Sequence, residues 1–229
     1  MLPVIRNALL DAYAVLMPVE CAGCGTSDRS LCANCQSLLA PVVTQRYFGN
    51  DLTVFSALRY EGEVRRVILA MKEQNRTDVA RALAKPLAAA VQRGLAMDWP
   101  TLNWPTLTCP LGEPVELVAV PTSRAAYRRR GYDPVHLMLR LAGFRPVRIV
   151  RQIRSTSRQK LLDVAERAVN LSWSMRAMER IDGRRFLLVD DVVTTGATLA
   201  EAARAVRAAG GEVVAAATLA FTPKLLGGS

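Results

Sequence analysis

Residues 186–200 read FLLVDDVVTTGATLA, and this stretch decides the fold. FLLV, 186–189, is apolar without alternation, the pattern of a strand buried on both faces of a parallel sheet. Asp190 and Asp191 follow immediately. Thr194, Thr195 and Gly196 form a tight, hydroxyl-rich turn, and Thr198 with Glu201 spells a T-x-x-E capping box that would open a helix. A helix N-terminus leaves backbone N–H groups unpaired and its dipole favours an anion. Gly196 permits a positive φ and a close backbone approach. The Thr hydroxyls add donors. The two carboxylates are acceptors, suited to the vicinal hydroxyls of a ribose or to a hydrated Mg²⁺.

Outward from this stretch the chain alternates. LTVFSALRY (52–60) favours β structure, VRRVILAMK (64–72) starts a helix, and DVARALAKPLAAAVQRGL (78–95) is helical with Pro86 as a kink or break. LVAVP (117–121) is a short apolar strand. PVHLMLRLAG (134–143) is a helix stopped at Gly143, VRIVRQI (147–153) is β-rich, LAEAARAVRAAG (199–210) is a helix ending at Gly210, and EVVAAATLAF (212–221) is a second buried strand. Such alternation predicts a mostly parallel α/β sheet with helices on both faces. In such sheets ligands bind at the C-terminal ends of the strands. The segment 99–114 carries Pro100, Pro105, Pro110 and Pro114 and reads as a surface excursion.

Four of the five cysteines fall within fifteen residues, as C-A-G-C at Cys21 to Cys24 and C-A-N-C at Cys32 to Cys35. Two C-x2-C turns supply a closed tetrahedral thiolate site, which predicts structural Zn²⁺ rather than catalysis. A redox pair would need a preceding strand in a thioredoxin-like unit, and none is legible here. Cys109 stands alone as a loop or core residue.

The net charge is +10, with Arg far outnumbering Lys, so the surface attracts polyanions. The stretch 118–136, which leaves the strand at 117–121 as a loop, carries Arg124, Arg128, Arg129 and Arg130 with Tyr127 and Tyr132 interleaved. It could cradle a pyrophosphate, because guanidinium groups match phosphate oxygens bidentately. The same mixture suits single-stranded nucleic acid, with bases stacked on the rings. A second basic stretch, 151–171, carries Arg151, Arg154, Arg158 and Lys160 and suits a lid over an anionic substrate. His136, the single histidine, reads as structural rather than as a base. No apolar run reaches the length of about 18 residues that a membrane span needs. The apolar N-terminus is interrupted by Arg6 and Asp11 and reads as an amphipathic helix over 1–17. A cytoplasmic protein is expected.

The 186–200 stretch resembles the PRPP-binding signature of type I phosphoribosyltransferases: apolar residues, two acids, then Thr194-Thr195-Gly196-Ala197-Thr198. The whole order of motifs resembles the ComF/GntX family of phosphoribosyltransferase-like competence proteins. It comprises the four cysteines, Y-E-G-x-V-R-R at 60–66, M-K at 71–72, V-P-T-S at 120–123, R-R-G-Y at 129–132, R-Q-x-x-L at 158–162 and E-R-x-x-N at 166–170. The chain departs from the family at Ser123, where a second proline is usual, and at Tyr132-Asp133, where Phe-Asn is usual. The resemblance implies a type I phosphoribosyltransferase, Rossmann-like domain over 46–229, preceded by a helix and zinc module over 1–45. It implies that Asp190 and Asp191 are the catalytic-site acids that orient the ribose of PRPP, and that residues 194–198 hold its 5-phosphate. Ser123, Arg124, Arg128, Arg130, Arg158 and Lys160 are the candidates for pyrophosphate or nucleic acid, with Mg²⁺ accompanying PRPP. It further implies a role in DNA uptake or utilisation beside helicase or processing proteins. The alternative is a non-catalytic module that binds single-stranded DNA. No acceptor for a phosphoribosyl group can be read from these residues.

Overall fold

The computed structural model describes residues 19–27, 29–49, 51–97, 114–153 and 173–223. The helix expected over 1–17, most of the proline-rich segment with Cys109, and the basic stretch from Arg154 through Arg158 and Lys160 lie outside the described residues.

Five strands form the main sheet: β1 (Thr44–Phe48), β2 (Leu52–Arg59), β3 (Val115–Ala119), β6 (Arg185–Val193) and β7 (Glu212–Phe221). Their order is β1-β2-β7-β6-β3, with β1 antiparallel to β2 and all other pairs parallel. A separate antiparallel pair joins β4 (Val150–Gln152) to β5 (Met175–Ala177). The six α-helices among the described residues are α1 (Ala33–Ser37), α2 (Gly62–Glu73), α3 (Ala80–Met97), α4 (Arg124–Arg130), α5 (Pro134–Leu141) and α6 (Ala197–Arg207). The sheet is the mostly parallel α/β sheet expected.

Phe186, Leu187, Leu188 and Val189 are fully buried, as their lack of alternation predicts. Leu187 and Val189 pack with α2, α3 and α5, while Phe186 and Leu188 pack with α6 and the β4–β5 pair. The strand does not end at Val189, however. It continues to Val193, because Asp190, Val192 and Val193 go on pairing with β7. The two aspartates therefore sit within the sheet's C-terminal edge rather than on a loop beyond it.

Three further expectations change. α3 runs through Pro86 without a break, with Leu83, Leu87 and Val91 buried on either side of it. The strand expected over 147–153 shrinks to Val150–Gln152, with Val147 making one isolated bridge to Val118. The capping box does not form. Gly196 is the N-cap of α6, and Glu201, 5% exposed, points inward. Its carboxylate accepts the Met175 N–H at 2.9 Å and accepts bidentately from Nε and Nη2 of Arg204. Although burial opposes ionisation, Arg204 and the Met175 N–H hold Glu201 below the usual carboxylate range. The unpaired β5 edge outcompetes the local cap.

Candidate functional site

The site is built around the end of β6. The Asp191 N–H donates to Asp190 Oδ1 at 2.8 Å, so adjacent backbone and side chain stiffen one another. Asp191 turns toward α2, where Lys72 Nζ lies 3.0 Å from one carboxylate oxygen and 2.9 Å from the other. Burial alone would lower Lys72, but the carboxylates of Asp191 and Asp190 hold it above its usual value. Asp190 moves the other way. Burial and the neighbouring Asp191 charge push it up to about 8, against the pull of the Asp191 N–H and Lys72. The pair thus holds one carboxylate fixed by an ammonium and one poised to carry a proton near neutral pH. Lys72 joins the candidate site without being legible as a site residue in the sequence. Its only signal was its place in the M-K motif, since a lysine in the last turn of a helix also reads as an ordinary dipole partner.

The loop after β6 is anchored where Thr222 N–H donates to Val193 O at 2.9 Å. Thr194 and Thr195 are exposed. Gly196 has φ 79°, and a Cβ there would lie 2.4 Å from the Phe48 ring. Both facts demand glycine: a left-handed backbone and no room for a side chain. α6 starts here with no side-chain cap, apart from a 3.4 Å contact from Ala197 N–H to Thr195 Oγ1. An uncapped N-terminus with two exposed threonines beside it has the unpaired donors and the dipole to receive an anion. Phe48 also went unread in the sequence, because nothing local ties it to a loop almost 150 residues later.

The arginine segment is not a loop. Ser123 Oγ accepts the Ala126 N–H at 3.2 Å and caps α4, which holds Arg124 through Arg130. Ser123, expected at a pyrophosphate, thus works as a cap that the family's usual proline could not provide. Arg130 has a side chain only 7% exposed; it donates to the Lys72 carbonyl and pairs with Glu73, to which Arg129 also donates at 2.8 Å. Tyr132, the other departure from the family pattern, donates its hydroxyl to the Met71 carbonyl, a bond phenylalanine cannot make. These three side chains brace the C-terminal turn of α2 and so the backbone that presents Lys72. Arg124 and Arg128 are exposed and unpartnered among the described residues.

Beside α4 and α5 lies a cleft in two connected parts, of about 840 and 270 Å³. Tyr127, Asp133, His136 and Arg148 line both. Arg124, Arg140, Arg145, Arg148 and Arg151 surround it, all exposed and with no ion pair among the described residues. The His136 N–H donates to Asp133 Oδ1 at 3.0 Å, so Asp133 caps α5. Burial, with Arg148 and Arg140 nearby, lowers His136 against the pull of Asp133 and favours the neutral ring.

The four cysteines come together as the spacing predicts: the sulfurs of Cys21, Cys24, Cys32 and Cys35 all lie within 4.8 Å of one another. Backbone N–H groups of Cys32 and Cys35 point at the sulfurs of Cys21 and Cys32 at 3.3 and 3.4 Å. Burial opposes ionisation of Cys21, yet backbone N–H groups of Cys24, Cys32 and Gly23 bring it down to about 6, while burial raises Cys35. Four soft thiolate donors at this separation suit a tetrahedral metal ion. The knuckle is fastened to the body. Arg66 on α2 donates to the Gly23 carbonyl, and Arg76 donates to the carbonyls of Glu20 and Ser30 at 3.1 and 3.3 Å. A Cβ on Gly23 would meet Cys35 Sγ at 2.6 Å, so the first turn can pack this tightly only without one.

Comparison with known proteins matches residues 138–226 to the phosphoribosyl transferase domain. Over 201 residues the chain is 26% identical to the DNA utilization protein YhgH of Escherichia coli O6:H1, covering 80% of this chain and 81% of that one. The YhgH of Escherichia coli K12 matches to the same extent. That of Salmonella typhi is 29% identical over 139 residues, 58% of this chain and 56% of its own length. Among the described residues no helix is long and apolar enough to cross a membrane.

Proposed function

We propose, from the match of residues 138–226 to the phosphoribosyl transferase domain, that the chain binds PRPP at the end of β6 and serves the use of DNA. The single observation that carries this reading is the continuity of three parts: the Asp190–Asp191 pair, the Gly196 turn and the uncapped N-terminus of α6. On this reading Asp190 and Asp191 accept hydrogen bonds from the ribose hydroxyls. Thr194, Thr195, Gly196, Ala197 and Thr198 surround the 5-phosphate. Lys72 holds Asp191 in place. Arg124 and Arg128 are the candidates for the pyrophosphate among the described residues, Arg158 and Lys160 are assigned to it from the sequence alone, and Arg130 acts from behind through α2.

The chemistry such a site supports is displacement of pyrophosphate at ribose C1 through an oxocarbenium-like state. Preorganised guanidinium groups stabilise the charge that gathers on the leaving oxygens. Mg²⁺, when bound, neutralises part of the pyrophosphate charge. Zn²⁺ at the four cysteines is structural, and residues 1–45 form a module appended to the domain of 46–229.

A second reading has its own observation, the cleft with five unpaired arginines and the half-exposed ring of Tyr127. Arginine along a groove with an exposed aromatic fits the backbone and bases of single-stranded DNA. The two readings separate by mutation. Asp190→Asn with Asp191→Asn should abolish PRPP binding and leave salt-sensitive binding of single-stranded DNA intact. If the double variant binds PRPP like the parent, the first reading fails. If DNA affinity does not fall as salt rises, the second fails.

A further inference from the structure

Far from the arginine cleft, a cavity of about 540 Å³ opens between the segment that leaves the knuckle, β1, β2 and the start of α2. Its walls include Leu38, Val42, Leu58, Val64 and Phe221. Leu38 and Val42 are 45% and 74% exposed, a large apolar rim to leave in water. Arg46 also lines it. The Arg46 guanidinium lies 3.8 Å from the centroid of the Phe221 ring, so it is held flat against the aromatic face. Its Nε is buried without an acceptor, and the side chain has no hydrogen bond or ion pair among the described residues.

The other charges in the cavity are already matched. Glu61 pairs with Arg59 at 2.7 Å and Glu63 with Arg66. Arg46 is therefore a fixed, flat cation with its charge uncompensated, at the edge of an apolar hollow of the size that holds small ligands. A guanidinium matches a carboxylate bidentately, and the exposed apolar rim of Leu38 and Val42 suits the hydrophobic body of an aromatic carboxylate. With Glu61 and Glu63 already paired, Arg46 is the one uncompensated charge of the wall among the described residues, which matches a ligand of single negative charge.

We propose that this cavity binds a small planar organic monoanion, an aromatic or heteroaromatic carboxylate, through Arg46. The cavity shares no lining residue with the ribose-phosphate reading and meets it at Phe221, which pairs with Val193 at the end of β6.

The test uses the full-length protein, with benzoate as the probe and inorganic phosphate as the competitor, followed by ligand-observed NMR. Benzoate should bind saturably with a dissociation constant of about 1 mM, typical of so small a ligand. Arg46→Gln should weaken it by about tenfold. Because Arg46 packs on Phe221, that variant could lose fold, so Val42→Glu at the exposed rim provides a second test: it adds a like charge without touching the core and should weaken benzoate several-fold. Asp191→Asn should leave benzoate affinity unchanged, which separates this site from the ribose-phosphate site. The proposal is overturned if wild type shows no saturable binding, if both Arg46→Gln and Val42→Glu bind as the parent does, or if equimolar phosphate displaces benzoate.

Discussion

Lys72 Nζ lies 2.9 Å from Asp191 Oδ2, and both side chains are mostly buried, 22% and 15% exposed. A cation from α2 thus reaches across 119 residues of sequence to hold the second acid of the site. Removing it leaves a mostly buried carboxylate without its partner, which costs about 1–3 kcal/mol. Lys72→Met should lower the melting temperature by several degrees. Lys72→Met with Asp191→Asn should recover part of that loss, a coupling read from a thermal double-mutant cycle. Losses that simply add would show that the pair contributes nothing.

Gly196 should tolerate nothing larger. Gly196→Ala places a methyl group against the Phe48 ring and strains a φ of 79°. The expected cost is about 1–3 kcal/mol with loss of phosphate-ester binding. Phe48→Ala added to it should relieve the steric part and leave the backbone strain. Titration and melting of the two variants give that split; full rescue of both would mean that the φ is unimportant.

Asp190 should make the protein less stable as pH rises. Burial and Asp191 hold it up to about 8 in the folded chain, while the unfolded chain releases that proton at about 4. Between these values the folded chain binds more protons than the unfolded one, so stability falls with rising pH. Asp190→Asn lacks this slope. Its melting temperature should match the parent near pH 4 and exceed it by about 4 °C or more near pH 8. Parallel curves across that range would contradict the assignment.

The knuckle should require all four cysteines. Cys35, 1% exposed, is the most buried cysteine of the set. Cys35→Ser should remove bound zinc, measured by elemental analysis, and lower the melting temperature by about 5 °C or more. Full zinc occupancy in the variant would exclude Cys35 as a ligand.

Much of this was legible in the chain because the signals are local. FLLV at 186–189 lacks alternation and is buried on both faces. EVVAAATLAF matches β7 end to end, bounded by Gly210-Gly211 and Pro223. Cysteine spacing alone predicted the cluster. What escaped depends on distant partners. Thr198 and Glu201 spell a capping box, but the Met175 N–H takes the glutamate. Arg130 and Tyr132 look like ligand contacts, but α2 carbonyls take them. Residues 118–136 look like a loop because of their glycine and proline, yet Ser123 caps a two-turn helix inside them. Lys72 and Phe48 reach the site only through tertiary packing, which no window of sequence contains.

The central claim is that the end of β6 holds PRPP. The most direct measurement is isothermal titration of the zinc-loaded wild-type protein with PRPP in the presence of Mg²⁺. The account predicts saturable binding at one site per chain, lost in Asp190→Asn with Asp191→Asn. A wild-type protein that gives no binding under these conditions would contradict it.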